Sequence, residues 1–267
     1  MINDCIILKN LPSGGQKDVQ LAEHPQHGKV VIKRGVIKSF TSLERIKREV
    51  ELLSELDSEF YPMQHHFNID VKERKFEIVE EYIGGCTLRD CMGKFKSTIE
   101  IFKLLNVLTT GLSIIWERNI VHRDLKPENI IIRTDGRPCI IDLGIARFLD
   151  MESLTQTISP FGPCTPIYAS PEQLRNYKHL IDPRTDFFGI GIMALELYLG
   201  VHPFDPNVVG NQFSTVENIL QNIYVLETEN VERDETIAEL ASRTLRSQPY
   251  ERFRNHKMLN TFLAQHS

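Results

Sequence analysis

The sequence lacks the features of a secreted, membrane-bound or nucleic-acid-binding protein. Its five cysteines are odd in number and form no Cys-x-x-Cys pair, which argues against a disulfide framework and against zinc. No stretch approaches the roughly 18 uninterrupted apolar residues of a membrane span, and residues 1–9 do not resemble a signal peptide. The 31 basic and 36 acidic residues give a net charge of −5, so no basic face for nucleic acid is expected. These absences predict a cytoplasmic protein with reduced thiols that binds neither nucleic acid nor membrane.

The pattern of apolar residues changes along the chain from strand-like to helical. The 267 residues suffice for one two-lobed unit, and no repeat or low-complexity linker interrupts them. The elements predicted from periodicity are strands at 4–11, 28–32, 75–83, 130–132 and 139–141 and helices at 43–56, 99–116, 186–199 and 234–245. The predicted fold class is α+β, with a small β-rich lobe containing one key helix (residues 1–83) and a larger, mainly helical lobe (residues 84–267).

Polar residues with a chemical pattern are concentrated between residues 122 and 144. The segment reads HRDLKPENIII, then a turn, then CIIDLG. Phosphoryl transfer requires a carboxylate near the attacking hydroxyl, oxygen ligands for Mg²⁺ and positive charge near the phosphates. Asp124, Asn129, Asp142 and Lys126 supply these groups. Each of them alone would fit an ordinary polar turn, and it is the whole run in this order that argues for chemistry.

This segment resembles the catalytic loop and metal-binding motif of eukaryotic-type protein kinases, H-R-D-x-x-x-x-N followed by D-F-G. The resemblance implies that Asp124 accepts the proton of the substrate hydroxyl or orients it, and that Asn129 and Asp142 hold Mg²⁺. Lys126, in a D-L-K-P-E-N form similar to that of Ser/Thr kinases, would steady the transferring phosphate. Leu143 replaces the Phe of D-F-G, and we expect its apolar side chain to pack beneath the helix of the small lobe.

Upstream, the sequence VVIK resembles the V-A-I-K strand of the same family. The resemblance implies that Lys33 holds the α- and β-phosphates of ATP, and that Glu49 in the predicted helix forms an ion pair with it. Val31 replaces the family's Ala and is expected to narrow the adenine site. Such an ion pair acts by position, because an oriented charge lowers the reaction barrier without reorganisation.

The loop expected to cover the phosphates matches the family pattern G-x-G-x-x-G-x-V only in part. Aligned on Val19, Gly14 matches, Gly15 follows it, and Pro12 and Lys17 stand where the other two glycines are expected. Glycine lets backbone N–H groups approach phosphate closely. A turn at Gly14 and Gly15 is therefore still expected to line the nucleotide, together with Val19.

The segment from Glu81 to Ile83 resembles the hinge between the two kinase lobes, where backbone groups bind adenine. Glu80 then stands directly behind the adenine, where a charged residue is unusual. Either Glu80 pairs with a polar partner, or the register of the comparison is shifted by one residue.

The sequence TPIYASPE, which begins at Thr165, resembles the end of a kinase activation segment. The resemblance implies that Thr165 faces Asp124 and Lys126. Cys164 replaces a usual Gly, and we interpret it as an ordinary small residue rather than as a redox switch.

Three further residues complete the resemblance in the second half of the chain. It implies that Asp186 anchors the backbone of the catalytic loop, and that Glu172 forms a buried salt bridge with Arg252. The motifs run in family order from about residue 8 to residue 262, so the resemblance covers essentially the whole chain.

The resemblance implies a Ser/Thr kinase that uses ATP and Mg²⁺ on protein substrates, as a monomer or as a transient dimer during autophosphorylation. We expect autophosphorylation at Thr155 or Thr157, in the middle of the activation segment, where the phosphate would pair with Arg123.

Two other functions are consistent with parts of the sequence. A pseudokinase would explain the glycine-poor loop and Glu80, although the full set of catalytic residues is present. A small-molecule kinase of the aminoglycoside- or choline-kinase type would share the base and the metal ligands. Against it, Lys126 and the Pro171-Glu172 pair favour docking of a peptide-like substrate.

Overall fold

The computed structural model describes residues 4–11, 17–37, 39–56, 59–143, 147–148, 164–225 and 234–267. The predicted glycine turn at Gly14 and Gly15 and the predicted phosphorylation sites Thr155 and Thr157 lie outside the described residues.

The N-terminal part of the chain forms a five-stranded antiparallel sheet in the order β1-β2-β3-β5-β4. Its strands are β1 (Ile6–Asn10), β2 (Lys17–His24), β3 (Gly28–Val36), β4 (Gln64–Asp70) and β5 (Lys75–Glu81). Because side chains alternate across a strand, Val30 and Ile32 of β3 share one face of the sheet, where they are fully buried. Val31 and Lys33 therefore lie on the opposite face.

Helix α1 (Phe40–Glu55) packs on the face of the sheet that carries Lys33. Ile46 and Val50 of this helix share a buried cluster with Phe76 and Ile78 of β5. Ile78 is the register partner of Lys33, which fixes the face on which the cluster lies. The apolar residues whose spacing predicted a helix here thus lie on the side of α1 that contacts the sheet.

The remainder of the chain is mainly helical. Its helices are α2 (Leu88–Cys91), α3 (Thr98–Trp116), α4 (Pro171–Leu174), α5 (Pro183–Leu199), α6 (Pro206–Val209), α7 (Thr215–Gln221), α8 (Glu235–Thr244) and α9 (His256–Gln265). Residues 185–197 of α5 are buried without interruption, as expected for a helix that is apolar on all sides. Helices α3, α5, α8 and α9 contribute to one large core cluster, so α5 is the central helix of this part.

Local sequence signals fix both ends of α5. Asp182 caps the N-terminus by accepting a hydrogen bond from the N–H of Arg184 at 2.8 Å, and Pro183 occupies the first turn. Gly200 ends the helix in the left-handed region with φ 74°, a conformation that glycine adopts without steric cost.

Two small sheets hold the segments that carry the kinase-like motifs. Strands β6 (Gly85–Thr87), β8 (Ile130–Arg133) and β9 (Pro138–Ile140) form a three-stranded sheet, and β7 (Ile120–Val121) pairs with β10 (Arg147–Phe148). Residues 122–129 therefore lie between β7 and β8, and residues 141–143 follow β9 directly.

Helix α3 is long and apolar enough, by length and composition, to cross a membrane. Half of the residues in the apolar 18-residue stretch of α3 are buried inside the fold, where α3 contacts α5 and α9. The core helix of a water-soluble fold passes the same test, so this helix is weak evidence for a membrane span.

The α+β fold class is confirmed, and each element predicted from periodicity is present with ends shifted by at most a few residues. The elements that were not predicted are strands β2, β4, β6, β7 and β10 and helices α2, α4, α6, α7 and α9. The β4 sequence QHHFNID has only Phe67 and Ile69 as strongly apolar residues, and it is a strand because it pairs along its length with β5. The boundary between residues 83 and 84 stays a prediction.

A buried ion pair joins α4 to the segment before α9. The guanidinium of Arg252 contacts both carboxylate oxygens of Glu172, at 2.7 and 2.8 Å, and the two side chains are almost fully shielded from solvent. Thr185 of α5 donates to the same carboxylate at 2.9 Å. The predicted salt bridge is confirmed, and its bidentate geometry supplies the hydrogen bonds that two buried charges need.

Replacing Arg252 with Met should lower the free energy of unfolding by about 3–5 kcal/mol, because the Glu172 carboxylate is then left buried without a counter-charge. The double variant E172Q/R252M should recover much of that loss. Urea unfolding monitored by circular dichroism measures both. Glu239→Gln, which opens the exposed pair of Glu239 with Arg243, is the control and should cost less than about 1 kcal/mol. A double variant as unstable as R252M would contradict the argument.

Gly191 in α5 permits close packing against α8, and Gly191→Ala should destabilise the fold. A Cβ at this position would lie 2.3 Å from Oγ1 and 2.9 Å from Cβ of Thr244, whose side chain is fully buried. The overpacking cost of about 1–3 kcal/mol should exceed the gain of up to about 1 kcal/mol from the helix propensity of Ala. The measurement is the thermal midpoint Tm. Gly93→Ala, where a Cβ meets open space, is the control and should leave Tm unchanged or slightly raised.

Candidate active site

The buried carboxylate of Asp186 fixes the start of the segment that contains the HRD sequence. Asp186 lies in the first turn of α5, and its Oδ2 accepts hydrogen bonds from the backbone N–H of His122 and from Nε1–H of Trp116, both at 2.8 Å. Its Oδ1 accepts the N–H of Arg123 at 2.9 Å. Burial raises the pKa of Asp186 above its ordinary value, and the three hydrogen bonds act in the opposite direction. The predicted anchoring of this loop by Asp186 is confirmed.

Arg123 has a left-handed backbone, with φ 71°, which a non-glycine residue adopts only where its surroundings compensate the strain. Its N–H is held by Asp186, and its carbonyl accepts the side-chain amide of Gln173 at 2.8 Å. The turn that follows directs Asp124 away from α5 and toward Thr165.

Three of the predicted residues, Thr165, Asn129 and Lys126, meet around the carboxylate of Asp124. Its Oδ1 accepts the backbone N–H of Thr165 at 2.9 Å, and its Oδ2 accepts the side-chain amide of Asn129 at 3.1 Å. The ammonium of Lys126 lies 3.1 Å from the same Oδ2 and donates to the hydroxyl of Thr165 at 2.7 Å. The structure thus places Thr165 against both Asp124 and Lys126, as the sequence predicted. The Asp124 carboxylate pairs with Lys126 but remains accessible to solvent, since 14% of its side chain is exposed.

Asn129 and Asp142 are arranged as oxygen donors. Nδ2 of Asn129 donates to the carbonyl of Asp124 at 2.9 Å as well as to its carboxylate, so the amide is oriented with Oδ1 directed away from Asp124. The N–H of Ile141 donates to the Asn129 carbonyl at 2.9 Å, which brings the next residue, Asp142, beside Asn129. A carboxylate and an amide oxygen are hard ligands of the kind Mg²⁺ prefers, so the donor set fits this ion.

The backbone of Asp142 directs its side chain outward. Asp142 has φ 64° and is exposed, whereas Leu143 is only 2% exposed. Leu143 shares a buried cluster with Leu52 and Leu56, at the end of α1 and just beyond it. The burial of Leu143 agrees with the expected packing, and its contact with the helix of the small lobe stays a prediction.

Lys33 pairs with Glu80. Its ammonium lies 2.6 Å from Oε1 of Glu80, in the interior of the sheet face that contacts α1. Of the two alternatives for Glu80, a polar partner or a shifted register, the structure shows the polar partner. Glu49 lies within α1, but its side chain is outside the described part of the chain, so the predicted pair of Lys33 and Glu49 stays a prediction.

The remaining predicted nucleotide contacts lie on one side of the sheet and at its end. Val19 is the register partner of Lys33, and Val31 is partly exposed two residues before it. Glu81 ends β5, with its N–H donating to the carbonyl of Met63 at 2.8 Å. Ile83 follows and is buried. The contact of these residues with a nucleotide stays a prediction.

A charged network beside the catalytic loop was not predicted. Arg89 of α2 contacts Glu128 at 2.7 Å and Glu196 at 2.7 Å, and also the hydroxyl of Tyr168. That hydroxyl donates to Glu196 at 2.6 Å. The network links α2, the catalytic loop, residue 168 and the end of α5. The sequence signal was Glu128 within D-L-K-P-E-N, but nothing in the sequence pairs it with a residue so far away.

The thiol of Cys164 is unsuited to redox switching. Burial raises its pKa to about 11, so the thiol stays protonated at neutral pH and is a poor nucleophile. This agrees with the interpretation of Cys164 as an ordinary small residue.

The chain is similar in sequence to several serine/threonine-protein kinases. The chain is 30% identical over 212 residues to the probable serine/threonine-protein kinase PknB of Lactococcus lactis, covering 74% of this chain and 32% of the relative. It is 33% identical over 212 residues to the serine/threonine-protein kinase pkn2 of Myxococcus xanthus, covering 74% and 25%. It is 27% identical over 276 residues to the serine/threonine-protein kinase ATG1a of Arabidopsis thaliana, covering 97% and 42%.

The chain spans between about a quarter and two fifths of the length of these relatives. The protein kinase domain model matches residues 7–263, which include every residue of the site described above. Members of this family generally use ATP and Mg²⁺. The chain therefore belongs to the protein kinase domain family.

Proposed function

We propose that the chain is the catalytic domain of a Ser/Thr protein kinase, which transfers the γ-phosphate of Mg·ATP to hydroxyls of a protein substrate. The observation that carries this proposal is the contact of Asp124 with Lys126, Asn129 and Thr165. A carboxylate, an ammonium and an oriented amide within hydrogen-bond reach of one another are what phosphoryl transfer to a hydroxyl requires. The printed names of the relatives point to the same activity.

Asp124 is placed to orient the substrate hydroxyl and to accept its proton. Its two oxygens are fixed by Thr165 and Asn129, so the carboxylate does not need to reorganise when the substrate arrives. Lys126 lies 3.1 Å from the same carboxylate, and its ammonium would stabilise charge on the phosphate being transferred. Thr165 holds Lys126 in this position through its hydroxyl.

Asn129 and Asp142 would hold Mg²⁺, which neutralises charge on the β- and γ-phosphates when it is bound. Lys33 would contact the α- and β-phosphates, while Val19 and Val31 would pack against the adenine and backbone groups of Glu81 and Ile83 would bind its polar edge. These roles rest on the family resemblance and on the position of each residue.

We further propose that the protein acts in the cytoplasm on protein substrates, as a monomer that pairs transiently during autophosphorylation. Nothing among the described residues favours a pseudokinase, and the presence of Lys33, Asp124, Asn129 and Asp142 in the chain supports catalysis. The contact of Lys126 with Thr165 ties the catalytic loop to the segment on which a peptide substrate would dock. That contact supports a protein substrate over a small molecule.

Asp124→Asn should reduce phosphate transfer to a generic basic protein by about 10²–10⁴-fold, because the amide keeps the size of the side chain but cannot accept the proton. The measurement is incorporation of labelled phosphate from Mg·ATP, with phosphoamino-acid analysis to distinguish Ser/Thr from Tyr. Asp135→Asn is the matched control, because Asp135 pairs with Arg137 in an exposed turn away from the site. Transfer by D124N within about threefold of the wild type would contradict the proposed role of Asp124.

Incubation with Mg·ATP should phosphorylate Thr155 or Thr157, because a phosphate there would pair with the guanidinium of Arg123 and order the segment. Phosphopeptide mapping by mass spectrometry identifies the site, with D124N as the inactive control. The double variant T155A/T157A should lose this phosphate. An active enzyme with both threonines unmodified would show that the prediction is wrong.

A further inference from the structure

Lys33 and Glu80 form a buried ion pair within the N-terminal sheet. The ammonium lies 2.6 Å from Oε1 of Glu80, and only 10% and 5% of the two side chains are exposed. At such burial, two charges are stable only if they are paired and hydrogen-bonded, since each has lost its hydration. The position of either side chain therefore depends strongly on the other.

The register of the sheet brings the two residues together. Glu80 on β5 is the register partner of Val31 on β3, and Lys33 is two residues further along β3. Side chains two residues apart on a strand share a face, so Lys33 and Glu80 are diagonal neighbours across adjacent strands. Diagonal neighbours are about 7–8 Å apart at Cα, a distance that two long side chains bridge easily.

This pairing depends on hydrogen bonds within the sheet and not on the position of a helix. Strand β3 pairs with β5 along seven successive residue pairs, from Val30 with Glu81 to Val36 with Lys75. Helix α1, by contrast, contacts the sheet through an apolar cluster that includes Ile46 and Val50. Apolar contacts are not directional, whereas a strand register fixes the two side chains relative to each other.

We propose that Glu80 is a positioning residue that holds the ammonium of Lys33 at the phosphate end of the nucleotide site. This rests on the proposed function, in which Lys33 contacts the α- and β-phosphates. The bond to Glu80 fixes the direction in which the ammonium of Lys33 extends from β3. Glu80 thus selects the rotamers in which Lys33 reaches phosphate, and the sheet maintains that selection.

The proposal distinguishes Glu80 from a residue that only contacts the adenine or only stabilises the fold. A misplaced ammonium weakens stabilisation of the developing charge, so loss of Glu80 should act mainly on kcat. An adenine contact would instead act on the KM for ATP, and a purely structural role would act on the fraction of folded protein. The three roles therefore predict different measurements.

The first test compares Glu80→Gln with Glu80→Asp and with Glu77→Gln. Gln keeps the shape of Glu80 and removes its charge, while Asp keeps the charge on a shorter side chain. Glu77 lies on the same strand, but its carboxylate pairs with Arg34 at 2.5 Å and is less buried, so E77Q removes an equivalent charge elsewhere. Steady-state kcat and KM for ATP are normalised to the folded fraction measured by circular dichroism.

We expect kcat of E80Q to fall about 10–100-fold, with KM for ATP changed less than about threefold. E80D should lie between E80Q and the wild type, and E77Q should match the wild type. Unchanged kcat in E80Q would overturn the proposal, as would a loss confined to KM, or an E80D variant no better than E80Q.

The second test does not depend on catalysis. The nucleotide-free protein is treated with an amine-acylating reagent, and the labelling rate of Lys33 is followed by mass spectrometry. Without a neighbouring carboxylate the ammonium loses its proton more readily, so Lys33 of E80Q should be labelled several-fold faster than in the wild type or in E77Q. Equal rates in all three proteins would show that Glu80 does not hold Lys33. A wild-type protein that transfers no phosphate would instead refute the proposed function and leave this labelling comparison valid.

Discussion

A single buried carboxylate, that of Asp186, anchors the start of the loop that carries the candidate catalytic groups. It accepts hydrogen bonds from two successive backbone N–H groups, those of His122 and Arg123, and from the indole of Trp116. Hydrogen bonds to an ionised acceptor are roughly twice as strong as neutral ones, and a buried carboxylate that lost them would be costly. The loop that follows is therefore attached to α5, whose residues 185–197 are all buried. The precision of the site depends on the rigidity of this helix.

The two ends of α5 also bind residues 165–172, the segment whose Thr165 contacts Asp124 and Lys126. Near its first turn, Thr185 donates to Glu172, which is bound bidentately by Arg252. Near its last turn, Glu196 accepts the hydroxyl of Tyr168 and pairs with Arg89. Residues 165–172 are thus fixed to the same helix as the catalytic loop. The hydrogen bonds from Thr165 to Asp124 and from Lys126 to Thr165 are a consequence of this shared support.

Two of the described non-glycine residues with positive φ, Arg123 and Asp142, lie in the candidate site. Arg123 and Asp142 both have left-handed backbones, which cost of order 1–3 kcal/mol each in a non-glycine residue. The contacts of their neighbours offset this cost. Asp186 and Gln173 bind the backbone of Arg123, while Ile141 is bonded to Asn129 and Leu143 is buried on either side of Asp142. The left-handed backbone of Asp142 leaves its side chain exposed.

The sequence by itself determined the chemical groups and most of the elements that carry them. The run from His122 to Asn129 and Asp142 supplies two carboxylates, an ammonium and an amide, and hydrogen bonds within the loop hold Asn129 against Asp124. Helices such as α1 and α5 follow from apolar periodicity, which is a local property of the chain. What the sequence did not determine were partners distant along the chain: the pairing of Lys33 with Glu80, the contacts of Arg89 with Glu128 and Glu196, and strand β4, whose own residues are mostly polar. Only the tertiary structure decided these, because strand register and helix packing bring together charges that no local pattern connects, and burial then obliges them to pair.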